Sequence, residues 1–235
     1  MILLILSSIL SVHYLTFDVY GTLLNMDTIS EAISKIAEEN HYDPKEAASM
    51  YSMTEDEIMY GEDFMTLDKV INKTLFWTDV YLNQNFFQAN YDKVIQAYKN
   101  LQPFPDVIES LKTLKSRGYT LVMMSNSMDM IMDENKKALG NLFDKSYLAE
   151  QVKAYKPRIE FFEYVHKDLN FDSVNHTHIA NGYWWDMEPA TKMKWPHKIW
   201  VNRRSMRGSP EFDPQIEVRN LEEALQYLPP IDQDL

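Results

Sequence analysis

Residues 14–25 read YLTFDVYGTLLN, so a carboxylate, Asp18, closes an apolar run and is followed by Tyr20, Gly21 and the hydroxyl of Thr22. Tyr14, Leu15 and Phe17 favour a buried strand, and an acid at a strand's exit stands where open α/β sheets bind ligands. Taken alone, such an Asp more often caps a turn. The spacing of other polar residues changes that reading. Ser125 and Asn126 end a second strand-like run, Lys156 lies 31 residues after Ser125, and Asp186 lies 30 after Lys156. One strand-helix-strand step takes roughly 30 residues, so these groups arrive side by side along one sheet edge. A carboxylate there can act as nucleophile, an ammonium beside it favours its ionised form, and Ser and Asn hold substrate oxygens.

The elements that must position them are legible from residue 101 onward. DVIESLKTLKSRG, DMIMDENKKALG and RIEFFEYVHKDL read as helices between the strand-like YTLVMMSN, a short segment near SYLAE, and HTHIAN. Helical MEPATKMKW, strand-like HKIWVN and a last helix, LEEALQYL, complete an alternation that implies a parallel sheet flanked by helices. The bland reading of Asp186 is a cap that begins the MEPATKMKW helix, which is compatible with a functional role. Trp184 and Trp185 either wall the pocket or fill the core, with core filling the favoured reading. His176 and His178 face one side of a strand and read as structural, since two histidines make a poor metal site. Asp18 and Ser125 are 107 residues apart, about 75 more than one step requires. The surplus, residues 26–101, is rich in helical runs and reads as a small inserted domain, with residues 1–25 and 102–235 forming the core. It holds 14 Asp plus Glu against 6 Lys, a net of −8, and no arginine.

Composition narrows the function classes. The absence of cysteine removes thiol nucleophiles and thiolate metal sites and suits a reducing compartment. A net charge of −12 disfavours nucleic acid and anionic membranes as partners, and the basic NRRSMR at 202–207 reads as a solvated loop. The apolar residues 1–12 lack the basic flank of a secretory signal and are too few to span a bilayer, so a cytoplasmic protein acting on a small molecule is expected.

The ordered motifs FDVYGTLLN, SNS at 125–127, YKP at 155–157, HIANGYWWD at 178–186 and IWVNR at 199–203 resemble the haloacid dehalogenase (HAD) superfamily, within it the L-2-haloacid dehalogenase (type II) branch. The resemblance covers the whole core and is weakest over the insert. It implies a Rossmann-like core with a helical cap, a homodimer as the assembly the branch allows, and Asp18 forming a covalent aspartyl ester that water hydrolyses. Lys156, Asp186 and Thr22 are then catalytic with Asp18, while Tyr20, Ser125, Asn126, Asn181 and Tyr183 fall at substrate-binding positions.

Departures keep three readings open. Superfamily phosphatases usually carry an acid at the positions of Tyr20 and Asn181, so the dehalogenase-like branch, working without a cofactor, is favoured. A magnesium-dependent phosphatase would hold Mg2+ through Asp18, the Tyr20 carbonyl and Asp186. Yet the branch also uses a cap arginine, which residues 26–101 lack, and an aromatic hydroxyl where this chain has Phe162. A small anion then requires a lysine such as Lys69 or Lys73, and a binding protein without turnover is the third reading.

Overall fold

The computed structural model describes residues 12–61, 63–172, 174–212, 214 and 216–231. The expectation for residues 1–12 therefore lies, but for Val12, outside the described residues. The chain runs β1 (Tyr14–Asp18), α1 (Asp27–Glu39), α2 (Pro44–Met59), α3 (Leu67–Leu82), α4 (Tyr91–Lys99), α5 (Val107–Ser116), β2 (Thr120–Ser125), α6 (Asp129–Ala138) and β3 (Lys145–Leu148). It continues with α7 (Ala149–Val152), α8 (Ile159–Leu169), β4 (His176–Ala180), α9 (Glu188–Lys192), β5 (Lys198–Val201), β6 (Ile216–Val218) and α10 (Leu221–Ala224). No helix among the described residues is long and apolar enough to cross a membrane.

The six strands pair in parallel in the order β3-β2-β1-β4-β5-β6. Helices cover the sheet, so its central strands are buried on both faces and read as continuous apolar runs. The chain winds outward from β1 through β2 to β3, then crosses to β4 on the other side of β1. That reversal opens a crevice at the carboxyl ends of β1 and β4. Asp18 ends β1 opposite Met124 of β2, and Phe17 lies opposite Ile179 of β4.

Four α-helices occupy the chain between β1 and α5. Ile29, Ile33, Ile36 and Ala37 form the buried stripe of α1, at helical spacing. Asp43 caps α2 by accepting from the backbone amides of Lys45 and Glu46, with Pro44 preset for the first turn. The chain leaves and returns side by side: Asn25 N donates to Gln102 O at 2.9 Å and Phe104 N to Leu23 O at 3.0 Å.

Three details differ from the sequence reading. A wide π turn over Tyr183–Met187 precedes α9, so Asp186 sits inside that turn instead of capping a helix. The closing helix is α-helical only to Ala224 and tightens into a 3-10 turn over Leu225–Tyr227. Strand β6, three residues long, has too short an apolar pattern to show a period.

Candidate active site

The turn after β1 builds the first part of the site. Gly21 takes φ +79°, a left-handed conformation suited to glycine, and turns the chain so that Thr22 points back at the strand end. Thr22 Oγ1 donates to Asp18 Oδ2 at 2.5 Å and accepts from the backbone amide of Asn181 at 2.7 Å. One hydroxyl thus fixes the Asp18 rotamer and ties β1 to the end of β4.

Lys156 arrives from the loop between α7 and α8. The Asn126 side chain grips its backbone twice, donating to Lys156 O at 2.8 Å and accepting from Lys156 N at 2.7 Å. The ammonium, 1% exposed, donates to Asp18 Oδ1 at 2.8 Å and Asp186 Oδ1 at 2.7 Å. Behind Asp186 stands His178, its Nε2 3.2 Å from Oδ1, while Thr16 Oγ1 lies 2.8 Å from His178 Nδ1 and 2.7 Å from His176 Nε2. His178, read from sequence as structural, therefore touches a site carboxylate.

The cluster's electrostatics are unequal. Burial pushes the Asp18 carboxyl up, and the Asp186 charge adds to this against Lys156 and Thr22. Burial would also raise Asp186, but Lys156 and His178 outweigh it and hold that carboxyl low. For Lys156, burial works against the charge and the two carboxylates overcome it, so its pKa is raised. Asp186 and Lys156 form the firm ion pair, and of the two carboxylates Asp18 is the less stabilised anion.

Above Asp18 opens a cavity of about 190 Å³. Asp18, Tyr20, Asn126, Lys156, Asn181 and Asp186 line its core side, so six of the nine residues expected at the site share one space. Thr22 is buried behind them. Two lie elsewhere. Ser125 is fully buried, its Oγ has no hydrogen-bond partner, and it is not on the cavity wall. Tyr183 packs against Trp200 and exchanges hydrogen bonds with the Ser209 backbone. Trp184 and Trp185 are not core fillers, being 45% and 36% exposed, and Trp185 lines the cavity.

The inserted helices supply the other wall: Met26, Glu55, Asp56, Met59, Tyr60 and Tyr98. Tyr98 Oη donates to Glu55 Oε1, and Tyr51 Oη does so at 3.3 Å. Burial pushes the Glu55 carboxyl up to about 7. Glu55 escaped the sequence reading, although a signal was present: Tyr51, Thr54 and Ile58 are the inward positions of α2, and residue 55 falls among them. Neither lysine considered for the missing arginine reaches this space. Lys73 lines a separate hollow with Trp77 and Tyr81, and Lys69 lines neither.

The residues fit Mg2+ poorly. Asp18 Oδ1 and Asp186 Oδ1 hold the ammonium, and Asp18 Oδ2 holds the Thr22 hydroxyl. Asp186 Oδ2, buried, is the one oxygen of the pair without a hydrogen bond. Among the described residues no group of three or more His, Asp or Glu is placed to hold a metal, whereas Mg2+ demands a near-octahedral shell of oxygens.

Comparison with known proteins agrees with this architecture. The model of the haloacid dehalogenase-like hydrolase family matches residues 15–194. The (S)-2-haloacid dehalogenase 4A of Burkholderia cepacia is 28% identical over 225 residues, which cover 91% of this chain and 93% of that protein. The L-2-haloacid dehalogenase structure from Xanthobacter autotrophicus aligns with a TM-score of 0.77 at 16% identity, covering 93% of this chain and 100% of that one. A HAD phosphatase from Thermococcus onnurineus aligns over 93% of this chain and 100% of its own, with a TM-score of 0.65 at 18% identity. At such identities the two solved structures speak for the fold, whereas the family model spans most of the sequence, including Asp18, Lys156 and Asp186: the chain belongs to the haloacid dehalogenase-like hydrolase family.

Proposed function

We propose that the protein hydrolyses a carbon–halide bond in a small organic molecule through a covalent ester on Asp18. The observation that carries this reading is the buried triad itself, a weakly stabilised Asp18 carboxylate held 2.8 Å from Lys156 Nζ at the floor of a small cavity. Asp18 attacks the halogen-bearing carbon; a carbon–oxygen bond forms as the carbon–halogen bond breaks and halide leaves with the bonding electrons. Water then adds to Cγ of the ester, the Cγ–O bond to the substrate breaks, and the alcohol departs with one proton released overall. Asp186, lining the cavity beside Asp18, is suited to hold that water, and Lys156 balances the charge that develops on the ester oxygen. The haloacid dehalogenase names of the relatives support halide as leaving group. Tyr20 and Asn181, where phosphatases carry acids, support action without a metal.

The test is a screen of wild type and Asp18→Asn against a panel of small organic halides, beginning with L-2-chloropropionate, and against p-nitrophenyl phosphate, each with EDTA or with magnesium. The reading expects halide release from the panel, undiminished by EDTA and absent in Asp18→Asn. Magnesium-dependent phosphate release without halide release would establish the phosphatase reading instead, for which Asp186 Oδ2 is the supporting feature. No turnover at all would leave a binding protein.

A further inference from the structure

The cavity above Asp18 is the wrong place for a carboxylate. Its walls carry four carboxyl groups, Asp18, Glu55, Asp56 and Asp186, against one ammonium, Lys156, which two of them already share. Asn126, an expected anion holder, commits Oδ1 and one of its two amide hydrogens to the Lys156 backbone. Ser125 is off the wall, and no lysine or arginine of the inserted helices lines the cavity. The helical side instead presents aromatic rings and acids. Trp185 Nε1 donates to Tyr60 Oη at 2.6 Å, which locks the two rings into one wall, and Tyr98 stands with them. Glu55 Oε1 takes the Tyr51 and Tyr98 hydroxyls, and no hydrogen bond to Oε2 is found among the described residues. On the core side Asp186 also lines this space, its Oδ1 held by Lys156.

Aromatic faces beside a carboxylate are the means by which proteins recognise alkylammonium groups, because ring quadrupole and carboxylate both attract a cation. We infer that the substrate carries an ammonium group at the end remote from the carbon attacked by Asp18, seated between Glu55 and the rings of Tyr60, Tyr98 and Trp185. This rests on the cavity being the active site and concerns which molecules enter it. A cationic end also offsets the surplus negative charge that an anionic haloacid would worsen.

The test measures binding, which needs no turnover. Choline, its neutral isostere 3,3-dimethyl-1-butanol, ethanolamine and L-lactate are titrated calorimetrically into wild type, Glu55→Gln and Asp56→Asn at low salt and about pH 8, above the Glu55 pKa of about 7. Wild type should bind choline at least about tenfold more tightly than the isostere, a margin of about 1.4 kcal/mol, and more tightly than L-lactate. Glu55→Gln should erase most of that margin and leave isostere binding unchanged. Asp56, exposed at the rim, supplies a second variant that tolerates substitution, and Asp56→Asn should weaken choline severalfold. Equal binding of choline and isostere, tighter L-lactate, no heat from choline or ethanolamine, or choline affinity unchanged in both variants would overturn the inference. The two readings fail separately. Choline preference without any halide release defeats the hydrolase reading alone, and L-2-chloropropionate turnover without choline binding defeats the ammonium inference alone.

Discussion

Asn in place of Asp18 preserves shape and can still meet Thr22 and Lys156, but it brings no anionic oxygen to the substrate. Turnover should vanish in Asp18→Asn while the circular dichroism spectrum remains that of wild type; wild-type rates in a clean preparation would remove Asp18 from the reaction. Lys156→Ala should cost about a hundredfold to a thousandfold in kcat, the scale of losing one preorganised charge stabiliser. Glu55 carries a prediction about stability. Its carboxyl titrates near 7 in the folded protein, against an ordinary value of 4.5. The folded state thus keeps a proton that the unfolded chain releases between those values. The resulting stability is complete below about 4.5 and is lost as pH rises through about 7, a change on the order of 3 kcal/mol. Urea unfolding from about pH 5.5 to 8 should show wild type losing stability across that window and Glu55→Gln losing less of it; parallel profiles would place the Glu55 proton elsewhere.

At the scale of elements, the π turn over Tyr183–Met187 is what aims Asp186 at Lys156. A Cβ on Gly182 would lie 2.5 Å from Asp186 Oδ2 and 3.2 Å from Trp185 Cβ, so it would push the carboxylate aside. Gly182→Ala should displace the carboxylate, lowering kcat by about a hundredfold, the cost of misplacing a reacting group by about an ångström. Unchanged kinetics would mean that the turn does not set the geometry. This turn also marks the limit of what the sequence discloses. Strands β1, β2, β4 and β5 and the long helices were legible because each buries a regular apolar pattern, and Asp18, Lys156 and Asp186 because strand exits recur about every 30 residues. A π turn has no period of its own, so a cap stood beside the functional reading of Asp186, and core filling was favoured over a pocket wall for the exposed Trp184 and Trp185. Ser125 shares a motif with the wall residue Asn126, but adjacent positions at a strand end point in opposite directions, and Tyr183 opens the π turn and packs against Trp200. Glu55 required the α2 register to be read inward, where a lone acid among buried positions was the clue.

Over the whole molecule, charge and architecture pull together. The inserted helices bring acid and aromatic side chains over a core that brings one buried ammonium, and the core holds them through side-chain bonds such as Tyr155 Oη to Met65 O at 2.9 Å and Trp185 Nε1 to Tyr60 Oη. Because neither Lys69 nor Lys73 lines the cavity, Lys69→Ala and Lys73→Ala should each change the affinity of a cavity ligand by no more than about 0.5 kcal/mol in calorimetric titration, the scale of an exposed charge. A loss of several kcal/mol from either would show that a lysine has taken the place of the missing arginine. The central claim is that water attacks Asp18 and not the substrate carbon. It is tested most directly by a single turnover in H₂¹⁸O with enzyme in excess, run with L-2-chloropropionate and with (2-chloroethyl)trimethylammonium, followed by mass spectrometry of product and of the peptide containing Asp18. With the substrate that is hydrolysed, the heavy oxygen should appear first in the Asp18 carboxylate while the product alcohol carries an ordinary oxygen from the enzyme; heavy oxygen in the first product molecule, with Asp18 unlabelled, would contradict the account.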